Sequence, residues 1–141
     1  MKMNFQEIYQ KAHYSVLLPS PSGRDIELGF RINEPNQKIE ELLDSHKRST
    51  ACFITASNPN GQRIDEKENQ ARMTELETLI QEKQLPYYFG QGEDPKGTWV
   101  ERSLLVVGIE LDEADELARH FEQNAIVWLQ RGLAPALRWY I

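Results

Sequence analysis

Cysteine, histidine and phosphate-binding glycine signatures are scarce in this chain, and each scarcity removes a class of function. One cysteine, Cys52, among 141 residues permits no internal disulfide and no cysteine-built zinc site. It lies in the apolar run ACFITA, the setting of a small core residue. His13, His46 and His120 are scattered with no H-x-x-x-H pair, so histidines build no zinc site either. GQGEDPKG, residues 90–97, starts as G-x-G but lacks the third glycine of a dinucleotide fingerprint, and no G-x-x-x-x-G-K-[ST] loop exists. No cofactor is therefore named by a motif. Ser49 and Ser57 have no histidine at a motif spacing, and G-x-S-x-G is absent.

No apolar run approaches the roughly 18 residues of a membrane span, and MKMNFQEIYQ has no apolar signal core. The expectation is a cytosolic protein away from membranes. The longest basic run is His46-Lys47-Arg48, and the net charge is −6. Duplex nucleic acid, whose binding needs clustered Lys and Arg to neutralise phosphates, is opposed by that balance.

What is present describes one ordinary domain over residues 1–141. Apolar residues make up 40% and charged residues 27%, enough of the first to build a core and of the second to keep it in solution. A chain of this length buries roughly 65–70% of its unfolded surface. NFQEIYQKA places Phe5, Ile8, Tyr9 and Ala12 on one face of a short helix. YSVLLP and IELGFRI read as strands on either side of the turn PSPSGRD, and Ile39, Leu42 and Leu43 share one helical face in EPNQKIEELLDSH. Residues 1–48 thus read as cap elements around a later core at 49–141.

From residue 51 the pattern sharpens. ACFIT is a strand stopped by ASNPNG. Asp65 followed by Glu68 resembles a capping box and opens a helix over about 66–83 that buries Asn69, Met73, Leu76 and Ile80. LPYYFGQG and SLLVVGI are strands joined by the turn EDPKGTW. LDEADELARHFEQ is an amphipathic helix with Leu111, Ala114, Leu117, Ala118 and Phe121 inward, and acids in its first turn where the helix dipole favours them. NAIVWLQ is a strand, and ALRWYI is its hairpin partner at the sheet edge. The order over about 51–129 is β-α-β-β-α-β, which predicts an α+β domain with a ferredoxin-like core, N-terminal additions and a C-terminal edge strand.

Following strand direction through that order brings the stretches that periodicity leaves unexplained to one end of the sheet. These are Thr55 to Pro59, Asn69 and Arg72 in the first turns of a helix, the turn reaching Trp99 and Glu101, and Gln123-Asn124. Each residue also has a structural reading. Asn58 starts a turn, Asn69 is a bonded core residue, Arg72 pairs with Glu101, Trp99 covers a core edge, Gln123 caps helix carbonyls, and Asn124 takes the left-handed position at a helix end. Buried polar groups are costly unless satisfied, so their convergence points to a ligand site or to an internal network. The candidate ligand-binding residues are Thr55, Asn58, Asn69, Arg72, Trp99, Glu101, Gln123 and Asn124. Glu101 is the candidate base, with Asp94 a second carboxylate in reach of the same turn.

FITASNP, ENQARMTELE, GQGEDPKGTWVERSLLVVGI and FEQNAIVW, in that order, resemble the successive motif blocks of a small bacterial family catalogued as domain of unknown function 3293. The resemblance covers roughly residues 50–130. It implies Thr55, Asn58 and Pro59, then Asn69 and Arg72, then Gly92, Trp99 and Glu101, then Gln123 and Asn124 as the family pattern. It implies no reaction. Ser57 stands where the pattern implies an aromatic wall, and Arg102 stands where it implies proline, which would loosen the strand entry there.

Three functions follow from these readings. The first is a small-molecule or nucleotide-binding domain, with Arg72 near a helix N-terminus facing an anionic group and Trp99 stacking on a ring. It requires Arg72, Glu101 and Asn124 to share one open pocket. The second is an interaction module whose polar cluster is a network and whose protein partner adds to ALRWYI or to the N-terminal helices. The third, single-stranded RNA binding through Tyr87 and Tyr88, lacks the Lys/Arg-Gly-aromatic pattern and opposes the net charge.

Overall fold

The computed structural model describes residues 5–141. The lack of an apolar leader core read from MKMNFQEIYQ falls partly on residues 1–4, outside the described residues.

A short helix α1 (Phe5–Lys11) precedes strands β1 (His13–Leu18) and β2 (Ile26–Phe30). Helix α2 (Gln37–Ser45) starts at Asn36, whose side chain accepts a hydrogen bond from the Ile39 amide at 3.1 Å. Strand β3 (Thr50–Ile54) leads through a turn at Pro59–Gly61 into helix α3 (Glu66–Glu82). Asp65 caps α3 by accepting from the Glu68 amide at 2.8 Å, as the sequence predicts. Strands β4 (Tyr87–Glu93) and β5 (Val100–Val107), helix α4 (Leu111–His120), and strands β6 (Ala125–Gln130) and β7 (Ala136–Trp139) complete the chain.

The fold is α+β. Among the described residues the seven strands form one sheet in the order β2-β1-β4-β5-β3-β6-β7, with every neighbouring pair antiparallel. Strand β7 pairs with β6 as its hairpin partner and forms one edge of the sheet. Residues 13–30 do more than cap a finished core, because β1 pairs with β4 and carries β2 beyond it. That pairing depends on which strand edges are left open, a property no local period records.

The sheet carries a buried apolar cluster on each face. Phe53, Leu105, Val127 and Tyr14 pack with Ile39 and Leu43 of α2 on one side. Cys52, Ile54, Leu104 and Val106 pack with Leu76 and Ile80 of α3 and with Leu117 and Ala118 of α4 on the other. Each such side chain contributes roughly 1.5–3 kcal/mol when fully buried. Cys52 is sealed inside, and burial pushes its thiol well above the ordinary range, so it is the inert core residue expected. Leu111 departs from the expected stripe and is 37% exposed, since it begins α4 before the helix has reached the sheet. Asp115 is buried on α4 and pairs with Arg138 and Tyr140 of the C-terminal strand segment. No helix among the described residues is long and apolar enough to cross a membrane.

Candidate functional site

The loop after β3 is the hub of the polar residues. Asn58 adopts the left-handed conformation at φ 50°, which asparagine tolerates better than most residues. Its amide donates to Asn69 Oδ1 at 2.8 Å, and Asn69 Nδ2 returns a hydrogen bond to Asn58 Oδ1 at 2.9 Å. Asn58 Oδ1 also accepts from the Ile64 amide, and Asn58 Nδ2 donates to Glu101 Oε2 at 2.9 Å. Thr55 Oγ1 donates to the Arg102 carbonyl at 2.6 Å and accepts from the Ser57 amide at 3.0 Å, closing the loop onto β5. Gly92 and Glu101 face each other across β4 and β5, so the family-pattern residues of three segments meet here.

Arg72 is engaged differently from expectation. Its Nε donates to the Ala56 carbonyl at 2.6 Å, its Nη2 donates to the Phe121 carbonyl, and its Nη1 lies 3.8 Å from Glu122 Oε1. The guanidinium thus ties the β3 loop to the C-terminus of α4. It does not pair with Glu101, whose neighbouring cation is Arg63. The reason is reach: Arg72 lies on the flank of α3 that faces α4, whereas Glu101 lies on β5 under the turn that carries Trp99. Gln123 Nε2 donates to the carbonyls of Ser57 and Phe121 at 3.0 and 3.1 Å, the carbonyl-capping role read from the sequence.

Asn124 does not take the left-handed position. Glu122 does, at φ 56°, and the helix ends with Glu122 donating to Arg119 O and Gln123 donating to Ala118 O, the paired bonds of a Schellman motif. Asn124 is 4% exposed, and among the described residues its Nδ2 has no hydrogen-bond partner at ordinary distance and angle. The Tyr9 hydroxyl lies close enough that the Asn124 side chain favours its ionised form. On the other side stand Gly61 and the Phe5 ring, so close that a Cβ at Gly61 would strike both Phe5 and Asn124.

Beside this network lies a cavity of about 60 Å³ walled by Tyr9, Tyr14, Phe53, Trp99, Glu101 and Gln123, with Thr55 and Gly92 also contributing. Helix α1 covers it through Ile8 and Tyr9, although no residue of α1 is fully buried. Gly90 makes this packing possible, because a Cβ there would collide with the Ser15 carbonyl and crowd the Phe53 ring. Burial raises the Glu101 carboxyl above its ordinary pKa; Asn58, the Trp99 side chain and the Arg63 charge oppose that rise without cancelling it. Burial, aided by the Glu101 charge, pushes the Tyr9 hydroxyl up to about 12 despite the neighbouring Asn124, and the Tyr14 hydroxyl rises for the same first reason. The Tyr14 hydroxyl donates to the Tyr9 carbonyl at 2.6 Å, so the cavity offers the neutral Tyr9 phenol and a carboxyl whose pKa burial raises.

Of the eight candidates, Thr55, Trp99, Glu101 and Gln123 line the cavity, and Asn58 and Asn69 reach it through Glu101. Arg72 and Asn124 are outside its walls, so the three residues expected to share one pocket do not. Asp94 lines it while accepting from the Thr98 hydroxyl and the Trp99 amide, bonds that lower its pKa, which leaves it a turn-forming carboxylate. Ser57 is buried and lends its carbonyl to Gln123. Arg102 does not loosen the strand entry, because β5 already starts at Val100 and Arg102 pairs with Gln91 in register. Tyr9, Tyr14 and Arg63 were missed. Tyr9 and Tyr14 carry only a core pattern in the sequence, and Arg63, stacked 4.6 Å from the Trp99 ring centroid, is a lone exposed arginine with no pattern at all.

No curated protein and no solved structure matches the chain. A family model matches residues 54–126, just over half of the 141 residues and a span that holds all eight candidates. The chain belongs to the family described as a protein of unknown function, DUF3293.

Proposed function

We propose that the chain is a small-molecule-binding domain whose ligand meets Glu101 at the end of the sheet. The observation that carries this is a carboxyl group with a raised pKa, built into the wall of an aromatic cavity and held by Asn58. Shifted carboxyls in concave sites are the usual signature of binding or proton transfer. The middle strands in the order β4-β5-β3-β6 support reading the core as the split β-α-β arrangement of ferredoxin-like folds. A cytosolic setting belongs to the same proposal, since a free thiol such as Cys52 is at home there.

Size limits the ligand. A cavity of about 60 Å³ has room for a few atoms, so a nucleotide fits only after α1 lifts. With no fully buried residue, α1 is the weakest of the walls. A ring would then lie among Tyr9, Tyr14, Phe53 and Trp99, with Glu101 and Gln123 as hydrogen-bonding partners. For a ligand that carries a phosphate or carboxylate, the guanidinium beside the mouth is Arg63, which stacks on Trp99 and donates to one carbonyl, that of Thr98, whereas Arg72 is engaged by two.

The engagement of Arg72, Asn69 and Gln123 favours a second reading, a loop-locking network in a protein-interaction module. A thermal-shift screen of nucleotides and small metabolites on the wild type and on Glu101→Gln and Arg72→Ala separates the two. Binding at a hundredfold excess over Kd stabilises by about 2.7 kcal/mol. The binding reading expects such a shift in the wild type and its loss in a normally folded Glu101→Gln. No shift with any compound, together with a large stability loss in Arg72→Ala, establishes the network reading instead.

A further inference from the structure

Side chains alternate along a strand, so each face of the sheet needs its own cover. On the face that carries α3 and α4, those helices lie over β5, β3 and β6. The β2-β1-β4 part of the same face has no helix on it. Register places Glu27 beside Leu17, Phe89 beside Leu104 and Glu93 beside Val100. Leu17, Phe89 and Val100 are consequently 45%, 56% and 51% exposed, although all three belong to strands. Together with the free flank of α3 they bound a groove of about 780 Å³.

The width and the charge of the groove describe its occupant. Three strands at about 4.8 Å spacing present a strip on the order of 10–14 Å wide, which is the diameter of one helix with its side chains. Along α3 the flank turned to the groove carries Glu66, Gln70, Met73 and Glu77, at helical spacing, and neither Lys67 nor Arg72 is on it. Glu27 stands on the opposite bank, and Arg102 is the single cation among the lining residues. Carboxylates thus flank an apolar floor. A second copy of this chain would bring the same acidic banks against them.

We propose that this face docks a basic amphipathic helix of a partner protein. Its apolar stripe lies on Leu17, Phe89 and Val100, and its Lys and Arg side chains meet Glu27, Glu66 and Glu77. The docked helix would stand beside α3 as a third helix in that layer. The apolar floor of this groove lies on the opposite face of the sheet from the aromatic cavity, although Glu101 and Ser103 of β5 border both, and the proposal does not depend on a ligand in the cavity.

The test uses the full chain and a synthetic fluorescent peptide of roughly 15 residues, with Leu at i, i+3, i+4 and i+7 and Lys elsewhere. A scrambled peptide of the same composition and a Leu/Glu peptide serve as controls. Anisotropy titration is expected to show saturable one-to-one binding of the Leu/Lys helix, about tenfold or more weaker for the scrambled peptide, and none for Leu/Glu. Phe89→Ser, and separately Glu27→Lys with Glu66→Lys, are expected to weaken binding about tenfold or more with thermal midpoints close to wild type. Leu17→Ser reads the same floor from another strand if Phe89→Ser fails to fold. Tyr9→Phe, at a residue that lines the cavity and not the groove, should leave peptide binding unchanged, whatever it does to small molecules. Equal binding of the scrambled peptide, no binding at all, or a wild-type dimer that Phe89→Ser converts to monomer would each overturn the proposal.

Discussion

Arg72 and Asn124 stand near opposite ends of the same turn, and they use their donors in opposite ways. Arg72 donates to two main-chain carbonyls and lies against Glu122, so that the β3 loop, α3 and the end of α4 move as one piece. Asn124, three residues beyond Phe121, buries an amide nitrogen that makes no hydrogen bond of ordinary geometry among the described residues. A saturated cluster holds the loops, and an unsaturated one beside it leaves hydrogen-bonding capacity unclaimed. Removing the first should unfold the region, while removing the second should be felt in binding. The largest effect is expected for Arg72→Ala. It leaves the buried Ala56 carbonyl without the guanidinium donor and the buried Phe121 carbonyl with Gln123 Nε2 alone. The cost is roughly 2–4 kcal/mol, read as a lowered denaturant midpoint. Arg72→Lys restores charge without the fork and should recover less than half of it.

Asn69 tests the same cluster from the other side. Asn69→Leu keeps the branching and the heavy-atom count but removes the partner of the Asn58 amide and one of the two donors to Asn58 Oδ1, at roughly 1–3 kcal/mol in urea unfolding. A loss as small as that of a surface substitution would show that the loop finds water instead, and would erase the contrast with Asn124.

The saturated cluster was the more legible of the two in the sequence. Asp65 and Glu68 announced the start of α3, the helical period then put Asn69 on the inward face, and strand direction brought Asn58, Glu101 and Gln123 to the same end. The unsaturated side was not legible, for physical reasons. Tyr9 and Tyr14 arrive from a segment whose place depends on β1 pairing with the open edge of β4. Their apolar spacing is satisfied equally by any core. The left-handed Glu122 left no signal either, because the Schellman bonds and not the residue type impose its conformation. Asp115 carried no signal of its own in the sequence, and its pairing with Arg138 across the chain makes it a buried anchor whose pKa is held down to about 2.

Glu101 lies between the clusters, and pH separates its two sides. Its folded pKa is raised by burial, so the folded state favours the protonated carboxyl more than the unfolded chain does. Its contribution is fully present below the ordinary glutamate range and is lost as pH rises through the raised folded value. Glu101→Gln is neutral throughout and still accepts from Asn58 Nδ2. The difference in thermal midpoint between variant and wild type should therefore move in favour of the variant as pH climbs from below the ordinary glutamate range to neutrality. A difference that is flat over that range would mean that Glu101 is solvated like a surface acid. Proton transfer by this group would then lose its basis.

The smallest stability effect is expected at Asn124. Replacing a buried polar group that lacks a partner with an apolar one of similar shape is close to neutral, or stabilising, because no satisfied bond is lost and a desolvated amide is removed. Asn124→Leu should therefore shift the denaturant midpoint by no more than about 0.5 kcal/mol in the unfavourable direction. Leu is branched, and the Phe5 ring and Gly61 crowd the space beside the amide nitrogen, so Asn124→Ala supplies the control for steric conflict. A neutral outcome in either variant means that the amide is not part of what holds the turn. Conservation of fold with loss of a ligand-induced thermal shift would then assign the amide to binding through Tyr9, whose hydroxyl it approaches. A loss as large as that of Arg72→Ala in both variants would place Asn124 in the locking network and leave the two clusters as one.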